Sequence, residues 1–213
     1  FAGRVEMPFR GWESVTVPGA VSAWVALSKR FGALPFADLF VPAIRYAEDG
    51  FAVSPVIAAL WARAAEQLGD QPGFAETFLP DGRAPRAGER FRAPGHARTL
   101  RAIAQTHGRD FYEGEIAEAI AAFAKKHDAA LSLADMASHR PEWCGTISTA
   151  FDDATLHEIP PNGQGIAALM GLGILSHTPI REMAADDPQA LHLQIEAMKL
   201  ALRDAEAYVA DPA

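Results

Sequence analysis

Hydrolytic chemistry needs a nucleophile with a base in reach, and a metal site needs three or four ligands. The chain offers few such sets. No Gly-x-Ser-x-Gly elbow occurs, and the serines fall at helix caps or on helix surfaces. The seven histidines are scattered singly, without a His-Glu-x-x-His pair. His192 and Glu196, four apart and so on one helix face, come nearest to a metal pair; lacking a third ligand, they read as surface neighbours. Glu113, Glu115 and Glu118 resemble an acid/base cluster, but they open a helix after Gly114, where its dipole favours carboxylates. Cys144 is the only cysteine, so neither an internal disulfide nor a Cys-rich zinc site can form, and it reads as a small buried or half-buried side chain. No metal ligand, cofactor or catalytic residue is expected. The strongest local candidate is the loop Pro160-Pro161-Asn162-Gly163-Gln164-Gly165. Asn162, Gly163 and Gln164 stand just before a helix, where backbone N–H groups can be aimed at a carboxylate or another anion. The plainer reading is a rigid strand-to-helix turn that needs glycine for its backbone, and the residue types favour it.

The elements around that loop can be read from periodicity. Val17-Pro18-Gly19 leads into a helix with Val21, Trp24, Val25 and Ser28 on one stripe, ended by Phe31-Gly32. Pro35 starts a segment whose face is Phe36, Leu39, Phe40, Ala43, Ile44 and Ala47; Pro42 should kink or split it, and Gly50 stops it. Ser54-Pro55 begins a helix with Ile57, Leu60, Trp61, Ala64 and Leu68 as its buried face. Residues 70–95 are rich in Gly, Pro and Arg and read as a wrapping or mobile segment. Two helices follow, around Leu100 to His107 and Ile116 to Phe123, with a capping start at Ser132 to Asp135. Thr146 to Phe151 and Thr155 to Ile159 predict a hairpin around Asp152-Asp153. An apolar helix, Ile166 to Leu175, and a long helix capped by Asp187-Pro188 complete the chain, the latter with Leu191, Ile195, Met198 and Leu202 on one face. The fold class is α+β: one partial domain over 1–213, helical over 17–140, a β-hairpin over 142–159, and helical over 164–210. An isolated hairpin is marginal in water, so it should belong to a larger sheet.

Composition narrows the partners. Of 213 residues 49% are hydrophobic and 22% charged, an ordinary globular balance, and the formal net charge is −8. That sign argues against nucleic acid, whose phosphates are met by Lys and Arg. No apolar run reaches the roughly 18 residues of a membrane span. The start at Phe1 and the stop at Asp211-Pro212-Ala213 both read as cuts in a longer polypeptide.

Six blocks, in order, resemble the γ-glutamyltransferase family. They are Val17-Pro18-Gly19-Ala20-Val21, Leu39 to Phe51 (LFVPAIRYAEDGF), Phe111 to Ala117 (FYEGEIA), Leu133-Ala134-Asp135-Met136-Ala137, Glu158 to Ile166 (EIPPNGQGI) and Tyr208-Val209-Ala210-Asp211-Pro212. The resemblance implies an N-terminal nucleophile hydrolase with a four-layer αββα body, this chain being the latter part of its large subunit. It implies a precursor that cleaves itself, so that the new N-terminal threonine of the small subunit attacks a γ-glutamyl amide such as glutathione with its own α-amino group as base. The implied partners are that small subunit and a small γ-glutamyl substrate. The resemblance ends at Asp211-Pro212, before the processing threonine. The family's substrate-carboxylate arginine belongs to a motif upstream of Val17 that neither Arg4 nor Arg10 matches, so no catalytic residue is carried onto this chain. The loop reads Pro-Pro-Asn-Gly-Gln-Gly rather than the Pro-Pro-Ser-Ser-Gly-Gly of glutathione-processing members. An acylase acting on glutaryl side chains of cephalosporins, and an inactive helical binding module, stay open as alternatives.

Overall fold

Pro18 and Gly19 deliver the chain into α1 (Ala20–Phe31), whose first turn has no side-chain cap. A distant residue supplies the missing partner: the Ser22 N–H donates to the Tyr112 hydroxyl at 3.0 Å, and that hydroxyl donates to the Pro18 carbonyl at 2.7 Å. The structure, a computed structural model, describes residues 6–210. Arg4 and the Asp211-Pro212 end of the last family-like block lie outside the described residues. The chain forms two compact units, Phe1–Pro141 and Glu142–Ala213.

In the first unit, Pro42 splits its segment as its ring requires: a 3-10 turn (Phe36–Phe40) precedes α2 (Val41–Asp49), with the proline in the first turn. Gly50 ends α2 at φ 83°, and a Cβ there would lie 2.7 Å from the Phe91 carbonyl oxygen. That close approach lets β1 (Phe51–Ala52) pair antiparallel with β2 (Arg90–Phe91), a non-local contact without a periodic signature. Between the two strands lie α3 (Pro55–Leu68), capped by Ser54, and α4 (Phe74–Phe78). The expected buried face of α3 does not form. Ile57 and Leu60 stay exposed and line an open apolar groove with Trp61, Ala64, Phe74 and Phe78; only Trp61 is anchored, donating from Nε1 to the Phe78 carbonyl at 2.9 Å. Within residues 70–95, Arg83 clasps Glu89 through two N–H bonds of 2.8 and 2.9 Å, and the Arg86 N–H donates to the same carboxylate at 2.7 Å. The Arg83 guanidinium first, and the Arg86 N–H second, hold Glu89 down at a pKa of about 2.

Four helices complete this unit: α5 (Pro94–Thr106), α6 (Arg109–Glu113), α7 (Glu115–Lys126) and α8 (Leu133–Ser138). Ser132 and Asp135 form the expected capping box on α8, and the Ser132 hydroxyl and N–H lower the Asp135 pKa. Glu113 ends α6; only Glu115 and Glu118 stand in the first turn of α7, so the three carboxylates do not open one helix. The core gathers Val21, Phe36, Phe40, Ile103, Tyr112 and Met136. Arg101 pairs with Glu48, joining α5 to α2 and lowering the Glu48 pKa.

In the second unit, β3 (Ile147–Phe151) and β4 (Ala154–Glu158) form the expected hairpin, Ile147 opposite Glu158 and Phe151 opposite Ala154, with Asp152 turning at φ 56°. Arg181 lies over the Phe151 ring at 5.0 Å and 3.7 Å from the Asp152 carboxylate, holding the turn. The uniformly apolar α9 (Gly165–Leu175) packs on β3 and on α10 (Pro188–Tyr208), which Asp187 caps through the Gln189 N–H at 2.7 Å. The large apolar residues that share one face of α10 are left largely open. Leu191, Ile195, Met198 and Leu202 are exposed, Ile195 at 59%, whereas Ala190, Ala197 and Ala201 are buried. Small side chains let α10 lie close on α9, and Met198, though partly exposed, reaches over to α9 at Gly171. The described fold is helix-rich with two small antiparallel sheets, and among the described residues no helix is long and apolar enough to cross a membrane.

Candidate functional site

The candidate loop runs from the end of β4 at Glu158 to the start of α9 at Gly165. Asn162 and Gln164 are exposed and Gly163 half-buried. Neither carboxamide has a hydrogen-bond partner among the described residues, so each has donors and an acceptor free for a ligand. Gln164 is the N-cap of α9 with helical dihedrals (φ −87°, ψ −1°); its side chain makes no capping bond, while its carbonyl accepts from the Ala167 N–H at 3.0 Å.

Two sequence arguments change here. Neither Gly163 nor Gly165 has a positive φ, and a Cβ on Gly163 would meet only Ile159 Cδ1 at an ordinary 3.7 Å. The turn therefore does not need glycine for its backbone at 163. At Gly165 a Cβ would lie 2.8 Å from Glu158 Cδ, so a larger residue there would have to displace the Glu158 carboxyl group. That carboxyl group stands beside the first residue of α9, where a helix attracts negative charge, and it opposes a second anion at the same place. A neutral polar group therefore meets less repulsion at the loop than a free carboxylate.

A hydroxyl and an imidazole do meet elsewhere, unforeseen in the sequence because 117 residues separate them. Ser22 Oγ lies 2.9 Å from His139 Nε2, and His139 stacks on Tyr112 with ring centroids 5.2 Å apart. Ser22 donates its hydroxyl hydrogen to the Gly19 carbonyl at 2.8 Å, so the imidazole N–H donates to the serine oxygen. A serine nucleophile needs the reverse arrangement, with the base accepting its proton. The set is a brace between α1 and the end of α8.

The remaining polar candidates do not assemble. Glu196 accepts from Lys199 Nζ at 2.8 Å, which lowers its pKa ahead of the smaller effect of His192. Cys144 is an exposed free thiol, not the buried or half-buried side chain expected, and it lies on the irregular segment before β3. Among the described residues no group of three or more His, Cys, Asp or Glu could hold a metal ion.

The sequence profile of the gamma-glutamyltranspeptidase family matches residues 1–213. An oxamate amidohydrolase proenzyme of Klebsiella pneumoniae is 38% identical over 220 residues, covering 100% of this chain and 41% of that protein. A glutathione hydrolase-like proenzyme of Bacillus subtilis is 33% identical over 214 residues, again covering 100% of this chain and 41% of that protein. Among solved structures, cephalosporin acylase from Bacillus halodurans superposes with a TM-score of 0.91 at 46% identity, over 97% of this chain and 39% of that one. The chain thus spans about two fifths of the length of the curated relatives it matches.

Proposed function

This chain belongs to the gamma-glutamyltranspeptidase family, and from that premise we propose that it is the latter part of the large subunit of a self-processing amide hydrolase or acyltransferase. The family match along the whole chain carries the reading. In this reading the helices and hairpin are part of an αββα body, and a threonine outside the chain becomes the N-terminus of a small subunit. Its hydroxyl attacks the donor amide, its α-amino group takes the proton, and the acyl-enzyme passes the acyl group to water or an amine. The chain's own part is support and one cleft contact: Asn162 and Gln164 hydrogen-bond the donor amide, beside the Gly163 backbone.

Two donor classes fit. γ-Glutamyl amides are the family's namesake donors. Acyl amides of the cephalosporin side-chain kind are the second class, by similarity to the solved acylase at 46% identity over nearly the whole chain. Intact mass and N-terminal sequencing of the protein from its complete reading frame test the processing. Two fragments, the smaller beginning with threonine, are expected; one uncleaved chain removes the reading in favour of an inactive binding module. A panel of γ-glutamyl anilide against glutaryl amides then assigns the donor.

A further inference from the structure

A cleft of about 370 Å³ opens in the first unit between α1, the α5–α6 turn and the residues after α8. The Ser22–His139 pair and Tyr112 line its base, and Val25 and Ala26 give it an apolar wall. Three cations from three separate segments also line it: Lys29 on α1, Arg109 at the start of α6 and Arg140 after α8. Glu113 is the one carboxylate in the lining. This local balance is opposite in sign to the chain's −8. Neither Lys29 nor Arg109 pairs with a carboxylate among the described residues. Arg140 donates from Nη1 to the Ala137 and His139 carbonyls, both at 2.7 Å, which fixes its fork and leaves Nε and Nη2 free.

Cations that outnumber the carboxylate of Glu113 raise the local concentration of anions, and guanidinium groups match carboxylates in bidentate geometry. The hydrogen-bonding groups at the base are already committed: Tyr112 hydroxyl to Pro18 and Ser22, and Ser22 hydroxyl to Gly19 and His139. Recognition therefore rests on the rim cations and on apolar contact with the wall. The volume lies at the small end of ligand cavities, which run from about 300 to 1,000 Å³. We propose that this cleft binds a small organic carboxylate. Because its cations are exposed, the affinity is modest, of the order of 1 mM.

The test uses full-length protein and calorimetric titration with succinate, with neutral succinamide as control. Succinate should saturate with an affinity that falls as salt is raised, and succinamide should not bind. Two variants act by different means: Lys29→Gln with Arg109→Gln removes charge, and Ala26→Phe fills the wall without changing charge. Each should weaken succinate binding about tenfold or more, and far-ultraviolet circular dichroism checks that each is folded. If one variant fails to fold, the other decides. Unchanged succinate affinity in a folded variant, equal binding of succinamide, or no binding of succinate at all overturns the proposal.

Discussion

Replacing Tyr112 with Phe removes one oxygen and keeps the ring that stacks on His139 and touches Phe111. That oxygen joins the Pro18 carbonyl at 2.7 Å to the Ser22 N–H at 3.0 Å, across a helix start with no cap of its own. A hydrogen bond contributes about 0.5–1.5 kcal/mol net, and a buried group left unpaired costs about 1–3 kcal/mol. Tyr112 is 9% exposed, whereas both of its bonds are only part-buried, so water can recover some of the loss at Pro18 and Ser22. About 2 kcal/mol remains for the local opening of α1, a factor of roughly 30 in its equilibrium. Hydrogen exchange on the peptide spanning residues 18–31, in full-length protein, reads that opening without assuming two-state unfolding. Protection in Tyr112→Phe should fall by about that factor, while the peptides of α9 and α10 are unchanged. Protection within twofold of wild type would show that water replaces the hydroxyl and that α1 is held by its packing alone.

Replacing both Asn162 and Gln164 with Ala in the full-length protein should lower donor kcat/KM about tenfold, the loss of one or two hydrogen bonds; unchanged kinetics would remove the loop from the cleft. Gly50→Ala should destabilise by at least about 1–2 kcal/mol, from the positive φ alone, with further cost from the Phe91 carbonyl, read as a lower melting temperature. Glu89 has its pKa lowered on folding, so its clasp contributes above the unfolded value of roughly 4.3 and is lost as pH falls toward about 2; a carboxyl NMR titration midpoint near 4.3 would refute the clasp. Gly173→Ala should stabilise by about 0.5–1 kcal/mol, since nothing lies within 4 Å of the added Cβ; a lowered melting temperature would contradict that open space.

Local chemistry was legible wherever a residue acts on its neighbours. Ser54, Ser132 and Asp187 cap the helices that their positions announced, Pro42 splits its segment, and Asp152 turns the hairpin. Contacts between distant residues were not legible. β1 and β2 are two residues each, too short to show alternation, and they meet only because Gly50 admits the Phe91 carbonyl. Ser22 and His139 carry no spacing signal, since their hydrogen bond is created by the packing of α6 and α8 near α1. The loop stands out in the sequence, but neither Gly163 nor Gly165 adopts a positive φ, and the Glu158 carboxyl group beside Gly165 comes from packing that no local pattern announces.

Helix α10 shows why periodicity alone cannot choose a buried face. The helix carries two apolar stripes: small residues at 190, 197 and 201, and large ones at 191, 195, 198 and 202. A hydrophobicity count favours the large stripe, because transfer free energy grows with area. Packing favours the small one, since α9 is itself apolar on every side and needs a close neighbour, which Ala provides and Leu would hold off. With the small stripe used inside the unit, Leu191, Ile195 and Leu202 stay outward, while Met198 reaches back to Gly171 of α9. The sequence marks both stripes as apolar; only the identity of the neighbouring surface decides which is covered.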